Sequence, residues 1–401
     1  MKIKKSDYIL STAAIRERCQ KLFDLNVKGQ GHFNYHPEKW DLVVSYVHQV
    51  ILENYPDLNI PFHSRLAHFR AGEVKRLEWT EFGFKDLSPL EKVRMLIDLI
   101  IPSVLLDAGA GNEWKWLEEK TSKTFTRSEG LGVASFHMFL NKSFSSRQLF
   151  QTDAHGLLSL TLEQLKKDFQ VTDNNPLTGA VGRLNLLQSL GTTIKNNPAV
   201  FPNQRPSDLL DTFLETNNSV SALKVLDAIL KHLGSIWPAR LTLEGVSLGD
   251  TWSHPDLEIT DKFESLVPFH KLSQWLSYSI LDACVVAGIA VTDVEKLTGL
   301  PEYRNGGLFL DLGLISAKDK NFLTKGVTVD EPFTVEWRAM TVILLDDLAK
   351  RIQKKLHKTP AEFPLAKVLE GGSWWAGRKI ASQLRSGGTP PINIISDGTV
   401  F

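Results

Sequence analysis

The chain has only two cysteines in 401 residues, Cys19 and Cys284. So few thiols, so far apart, make neither a disulfide framework nor a zinc site, and a reducing cytoplasm is the expected setting. It also lacks any surplus of charge, with 46 basic and 46 acidic residues and a formal net charge of zero. Proteins that neutralise nucleic-acid phosphates normally carry an excess of Lys and Arg, so the expected ligand is a small molecule, with no nucleic-acid partner. Long apolar runs are missing: residues 284–291, CVVAGIAV, fall far short of the roughly 20 needed to span a bilayer. The start, MKIKKSDYILSTAAIRERCQ, has basic residues with no sustained apolar stretch behind them, unlike a signal peptide. We expect no membrane association. Repeats and low-complexity linkers are absent too, and nothing in the sequence speaks to oligomeric state. What remains, 42% apolar and 23% charged, is an ordinary globular composition, long enough for one large domain or two lobes.

The patterns present are mostly helical. WDLVVSYVHQVILENY (40–55) is strongly amphipathic, and SPLEKVRMLIDLIIPSVLL (88–106) reads as a capped helix that Pro102 interrupts, followed by a short apolar element. Residues 6–27, 157–169 and 206–233 also show helical spacing. Alternating strands are few, with candidates at 241–246 and in the terminal INIISDGTVF. We expect one mainly α domain over 1–401, with a seam near Trp237 and Pro238. Gly179 and Gly182 form no phosphate loop, because no Gly-Lys-Ser/Thr follows. In DAGAGNEWKW, apolar residues lead into Asp107-x-Gly-x-Gly, which resembles the first motif of S-adenosylmethionine-dependent methyltransferases. Against that reading, no second buried strand ending in an acidic residue follows.

The stretch 266–313 holds the most chemistry. Pro268 suits the first turn of a helix in which Phe269, Leu272, Leu276 and Ile280 make a buried stripe, with Lys271, Gln274 and Tyr278 on another face. LTGLP followed by EYRNGG has the look of a helix-hairpin-helix. Together with VEWRAMTVILLDDLA (335–349), Lys271 and Glu302-Tyr303-Arg304 resemble, in order, the Lys, Asp-Tyr-Arg and Val-Glu-x-Arg-Ala elements of the queuosine-nucleotide N-glycosidase family, with Glu302 where that family has Asp. HSRLAHF (63–69), SVLLDAGAGNEWKW (103–116), RSEGLGVASFHMF (127–139) and the block 371–401 resemble the uracil catabolism protein 4 family across nearly the whole chain. These resemblances imply a mainly α, helix-hairpin-helix DNA-glycosylase-like domain with few short strands. They also imply a step in uracil breakdown: hydrolysis of a ribosyl-urea, with or without a phosphate, to urea and ribose or its phosphate.

Cleaving an N-glycosidic bond requires a carboxylate near the anomeric carbon, to orient water and to stabilise an oxocarbenium-like transition state. Glu302, at a turn beside Gly306 and Gly307, is the candidate, and its alternative is an exposed helix-start Glu that favours the helix dipole. Lys271 would hold a phosphate, sugar hydroxyls or the leaving group, or else pair on the surface. Arg304 and Arg338 read as phosphate clamps or as partners of Glu302 or Glu336. Asp107 and Trp114 (with Trp116) would recognise a planar ureido group, although tryptophans are also common in cores. His63 and Arg65, in a stretch dense with His and Arg, read equally as a functional loop or a salt-bridged surface. Trp374, Arg378 and Asp397 fall in a tail dense in glycine, proline and aromatics that would wall or cover the pocket. The reaction needs no metal or redox cofactor, and His63 and His68 lack the i, i+4 spacing of a zincin.

Overall fold

The heavy-atom positions come from a computed structural model, which describes residues 4–107, 109–111, 113–237, 240–257 and 261–395. It is mainly α, with strands of at most four residues in two-stranded pairs. Helix Trp40–Asn54 shows why: Trp40, Val43, Val47, Val50 and Ile51 recur at helical spacing and are buried, with polar residues between them. Two compact units emerge. One comprises Met1–His63, Ala239–Gln274 and Asp293–Phe401, the other Ser64–Pro238 and Trp275–Thr292. Among the described residues no helix is long and apolar enough to cross a membrane.

The first unit is built on helix Pro332–Leu356, whose Val335, Ala339, Met340, Val342, Leu344, Leu345 and Leu348 are fully buried. Helices Thr12–Val27, Trp40–Asn54 and Tyr303–Asp311 pack on it. Gly306 lets the last of these approach closely, since a Cβ there would strike the Trp337 ring and the Thr341 hydroxyl. The strand expected near 241–246 is a hairpin, Thr242–Leu243 against Val246–Ser247. Glu244 and Gly245 both have positive φ, 53° and 78°, as a two-residue type I′ turn requires. Asn393–Ile395 pairs in parallel with Gly326–Thr328.

In the second unit, helix Pro89–Leu105 is opened by a reciprocal Ser88 and Glu91 capping box. It does not stop at Pro102. A proline has no N–H for the carbonyl four residues earlier, and here that carbonyl, Asp98 O, accepts instead from Thr152 Oγ1 at 2.5 Å. Thr152→Val should therefore cost about 1–3 kcal/mol by leaving a buried carbonyl without a partner, which a shift in denaturant midpoint at constant slope would report. The continuous helix also disposes of the methyltransferase motif, because the residues entering Asp107 are helical where that motif needs a strand.

Candidate functional site

Pro268 is not the start of a helix. It ends the strand Leu266–Pro268, which pairs with Thr251–Ser253, a two-stranded setting where its missing N–H costs little. His270 turns the chain with φ 48°, and helix Lys271–Val286 begins after it. Its first amides are satisfied from a distance: Asp250 O accepts from Phe269 N and His270 N, and Asp250 Oδ2 from Lys271 N at 3.0 Å. Phe269, Leu276, Ile280 and Tyr278 are fully buried, whereas Leu272 and Lys271 are half-buried.

The hairpin segment is likewise a single turn of 3₁₀ helix, Val294–Lys296, then a loop and helix Tyr303–Asp311. Glu302 caps that helix. Its Oε2 accepts from Arg304 N at 2.6 Å and its Oε1 from Asn305 N at 2.7 Å. The side chain is half-buried, not the exposed helix-start residue of the alternative reading. Burial pushes its pKa up, opposed by the two amides and by the positive charges of Lys271 and Arg304. The carboxylate is thus fixed in direction, within the field of Lys271, and holds its proton more tightly than an ordinary Glu. A group of this kind can serve as a base once ionised.

Both arginines are committed. Arg338 pairs bidentately with Asp250, 2.8 and 2.7 Å, and not with Glu302 or Glu336. Its guanidinium lies 4.1 Å from the Phe269 ring centroid. Burial acts to raise the Asp250 pKa, but the charge and hydrogen bonds of Arg338, then Trp252 and the Lys271 amide, hold it well below the usual range. Arg304 is buried, stacks over Tyr303 at 5.0 Å and donates to Gly388 O at 3.3 Å.

The tail forms a wall of the first unit. A π-helical turn, Leu369–Ser373, leads into helix Trp374–Leu384, which lies so close to helix Tyr303–Asp311 that a Cβ on Gly377 would collide with Arg304 O. Arg385 clamps Asp311 bidentately at 2.7 and 2.6 Å. The turn also joins two candidate residues to the Glu302 cap. Glu370 Oε2 lies 2.7 Å from His63 Nδ1, and Ser373 Oγ donates to Asn305 Oδ1 at 2.7 Å. Trp374 packs against His63 with centroids 5.9 Å apart, and Arg378 stacks over Trp374 and Trp375. Glu370, Asn305 and Asp250 were not singled out in the sequence; the unusual density of glycine and tryptophan around 370–378 marked only the segment beside Glu370. Asp397 lies outside the described residues.

The remaining candidates belong to the second unit. Asp107 accepts from Arg65 Nη1 at 2.6 Å and from Ser128 Oγ at 2.6 and 2.7 Å. Arg65 is fully buried, with further bonds to Ser103. Trp114 is a core residue, 1% exposed, whose indole N–H donates to Phe169 O at 2.9 Å, so it presents no open face for a ureido group. Trp116 does the same with Asp168 O.

Residues distant in sequence also bring metal-ligating types together, which no short spacing had shown: one potential ligand atom each from His254, Asp256 and Glu336 lies within 4.8 Å of the others. Glu336 Oε1 is 2.8 Å from His32 Nδ1 and 3.2 Å from His254 Nε2, and Oε2 accepts from His32 N at 2.7 Å. His254 Nδ1 accepts from Asp256 N at 3.3 Å, while its buried Nε2 lies 3.2 Å from Glu336 Oε1 without the geometry of a hydrogen bond. Glu336 is bonded by His32 alone of the two histidines, through both its ring and its peptide N–H. Burial acts to raise the Glu336 pKa, yet the two histidines hold it at about 2. A groove of about 770 Å³ is lined by Arg240, Trp252, Thr328 and Asp330 among others. None of the candidate site residues singled out in the sequence is among those that line it.

Over residues 8–401 the chain matches the model of the family described as Protein of unknown function (DUF1688). It is 38% identical to Uracil catabolism protein 4 of Lachancea kluyveri, with 98% of each chain covered. To Protein urg3 of Schizosaccharomyces pombe it is 39% identical, again over 98% of each.

Proposed function

From the premise that this chain belongs to the DUF1688 family, and that one relative is named a uracil catabolism protein, we propose that it acts in uracil catabolism as an N-glycosidase. Its substrate would be a ribosyl-urea or the 5-phosphate of one, and its products urea and ribose or ribose phosphate. The observation that carries this reading is the Glu302 carboxylate, aimed by two backbone amides and coupled to the charge of Lys271.

Such a carboxylate takes the proton of a water whose oxygen adds to C1′ of the sugar. Its negative charge meanwhile offsets the positive charge that builds on C1′ and the ring oxygen as the C1′–N bond lengthens. Lys271 supplies a cation for the phosphate or sugar hydroxyls, and its charge opposes the rise that burial gives the Glu302 pKa. Arg378, stacked on two indoles, offers a second cation for a phosphate. No step requires a metal or a redox cofactor.

The test is release of urea from ribosyl-urea and from its 5-phosphate by the purified protein, followed by a coupled urea assay. Turnover of either with a matching yield of free sugar supports the proposal and selects the phosphorylation state. Tight binding of both without turnover would turn the reading to a non-catalytic ligand-binding protein.

A further inference from the structure

The urea of a ribosyl-urea departs badly as an anion, so a carboxylate base alone leaves half of the reaction unserved. Resting on the glycosidase reading, we propose that His63 is the acid that protonates the departing nitrogen, and that Glu370 is the residue that positions it.

The two side chains are almost wholly buried, 8% and 6% exposed, and His63 Nδ1 and Glu370 Oε2 are 2.7 Å apart. With Nδ1–H donating to the carboxylate, the tautomer is fixed and proton exchange with a ligand falls to Nε2. This is the division of labour by which a carboxylate orients a working imidazole and stabilises its cation. The His63 peptide N–H donates to Ala366 O at 3.2 Å, and Tyr55 Oη donates to the other Glu370 oxygen at 3.4 Å. Glu370 itself sits in the π-helical turn Leu369–Ser373, a local geometry that is uncommon and concentrated at functional sites. Glycine lets that turn pack closely, because Cβ atoms on Gly371 and Gly372 would press into Ile60 and Val47.

The same turn reaches the base. Residues 370 and 373 lie three positions apart within the one π-helical turn. From Ser373 the path runs through Asn305 Oδ1 at 2.7 Å, and Asn305 N donates to Glu302 Oε1 at 2.7 Å. A short, bonded, buried segment therefore fixes His63–Glu370 relative to Glu302. The step balances without any further reactant. The C1′–N electron pair goes to the leaving nitrogen, which takes the proton from His63 Nε2. Water oxygen bonds to C1′, its proton passes to Glu302, and both residues re-equilibrate with solvent.

The experiment compares the wild type with His63→Gln, Glu370→Gln and Glu302→Gln on ribosyl-urea and on 4-nitrophenyl riboside, whose leaving group is stable as an anion, each in the phosphorylation state the protein accepts. His63→Gln should slow urea release by about 10²-fold or more, change nitrophenol release by less than about threefold, and abolish the fall of kcat at alkaline pH. Glu370→Gln should show the same leaving-group pattern more weakly, whereas Glu302→Gln should lose both reactions. Equal losses on the two substrates in both His63→Gln and Glu370→Gln would overturn the assignment and leave the pair structural. If the wild type accepts only ribosyl-urea, an alkaline limb that persists in His63→Gln overturns it equally. A wild type that cleaves neither substrate removes the glycosidase reading itself, and this inference with it.

Discussion

Replacing Glu302 by Gln is expected to lower kcat for urea release by about 10³-fold, mid-range for removal of a general base, while the circular dichroism of the protein stays helical. The neutral amide keeps the size of the side chain but cannot take a proton from water or offset charge on the sugar. It can accept only one of the two amides that Glu302 now satisfies, so a loss of about 1 kcal/mol in helix capping accompanies the change. That is small beside the 5–15 kcal/mol of a typical domain. Because burial raises the pKa of Glu302, the active ionised form is gained with rising pH later than for an ordinary Glu, and the acid limb of kcat should reflect that displaced titration. The same shift has a stability signature of defined sign. A carboxyl that binds its proton more tightly when folded stabilises the protein below its ordinary pKa, and that contribution is lost as pH rises through the raised value. Glu302→Gln should therefore flatten the decline of unfolding free energy across that window. A variant with wild-type urea release would end the assignment of Glu302 as base.

Periodicity found most helices because the burial of one face is written locally, as in Trp40, Val43, Val47, Val50 and Ile51. What it misplaced were two prolines whose consequences are decided elsewhere in the chain. Pro102 reads as a stop, yet the helix runs on because Thr152, fifty residues later, takes the carbonyl that the proline releases. Pro268 reads as a helix start, yet Asp250 supplies the cap two residues beyond it and draws 266–268 into a strand. The site divides in the same way. Among the candidate residues, Glu302 and Lys271 were singled out through a resemblance in local motif, and His63 and Trp374 through unusual density. Glu370 and Asp250 were not, since an isolated carboxylate carries no mark of the buried imidazole or guanidinium it will meet 307 or 88 positions away. Arg338 shows the cost of guessing partners by proximity in sequence. Glu336 stands two residues off on the same helix, where i and i+2 side chains diverge, and the actual partner is Asp250.

Arg76→Ala should be the most damaging single change to stability among the ion pairs of the second unit, at about 3–5 kcal/mol. Arg76 and Glu118 are both fully buried side chains, joined by two parallel bonds of 2.7 Å, Nε to Oε1 and Nη2 to Oε2. Arg76 Nη1 also donates to Phe69 O and Ala71 O at 2.9 Å, tying down a segment with little regular structure. Glu118 receives two more bonds, from His137 Nε2 at 2.7 Å and Thr121 Oγ1 at 2.6 Å. Burial acts to raise its pKa, but the bonds from His137, Arg76 and Thr121 outweigh that and hold it at about 2. Here the linkage runs opposite to Glu302: the contribution is fully present above the ordinary carboxylate value and disappears as pH falls from there toward about 2. Removing the guanidinium strands a buried carboxylate together with two backbone carbonyls. Arg76→Met paired with Glu118→Leu removes both charges and should recover part of the loss, because the penalty comes from the unpaired charge more than from the missing attraction. Hydrogen exchange of the Lys115–Glu118 and Lys123–Thr126 hairpin, which carries Glu118, would locate the damage. Unchanged protection there in Arg76→Ala, with an unchanged denaturant midpoint, would mean that the pair contributes nothing to holding this unit together.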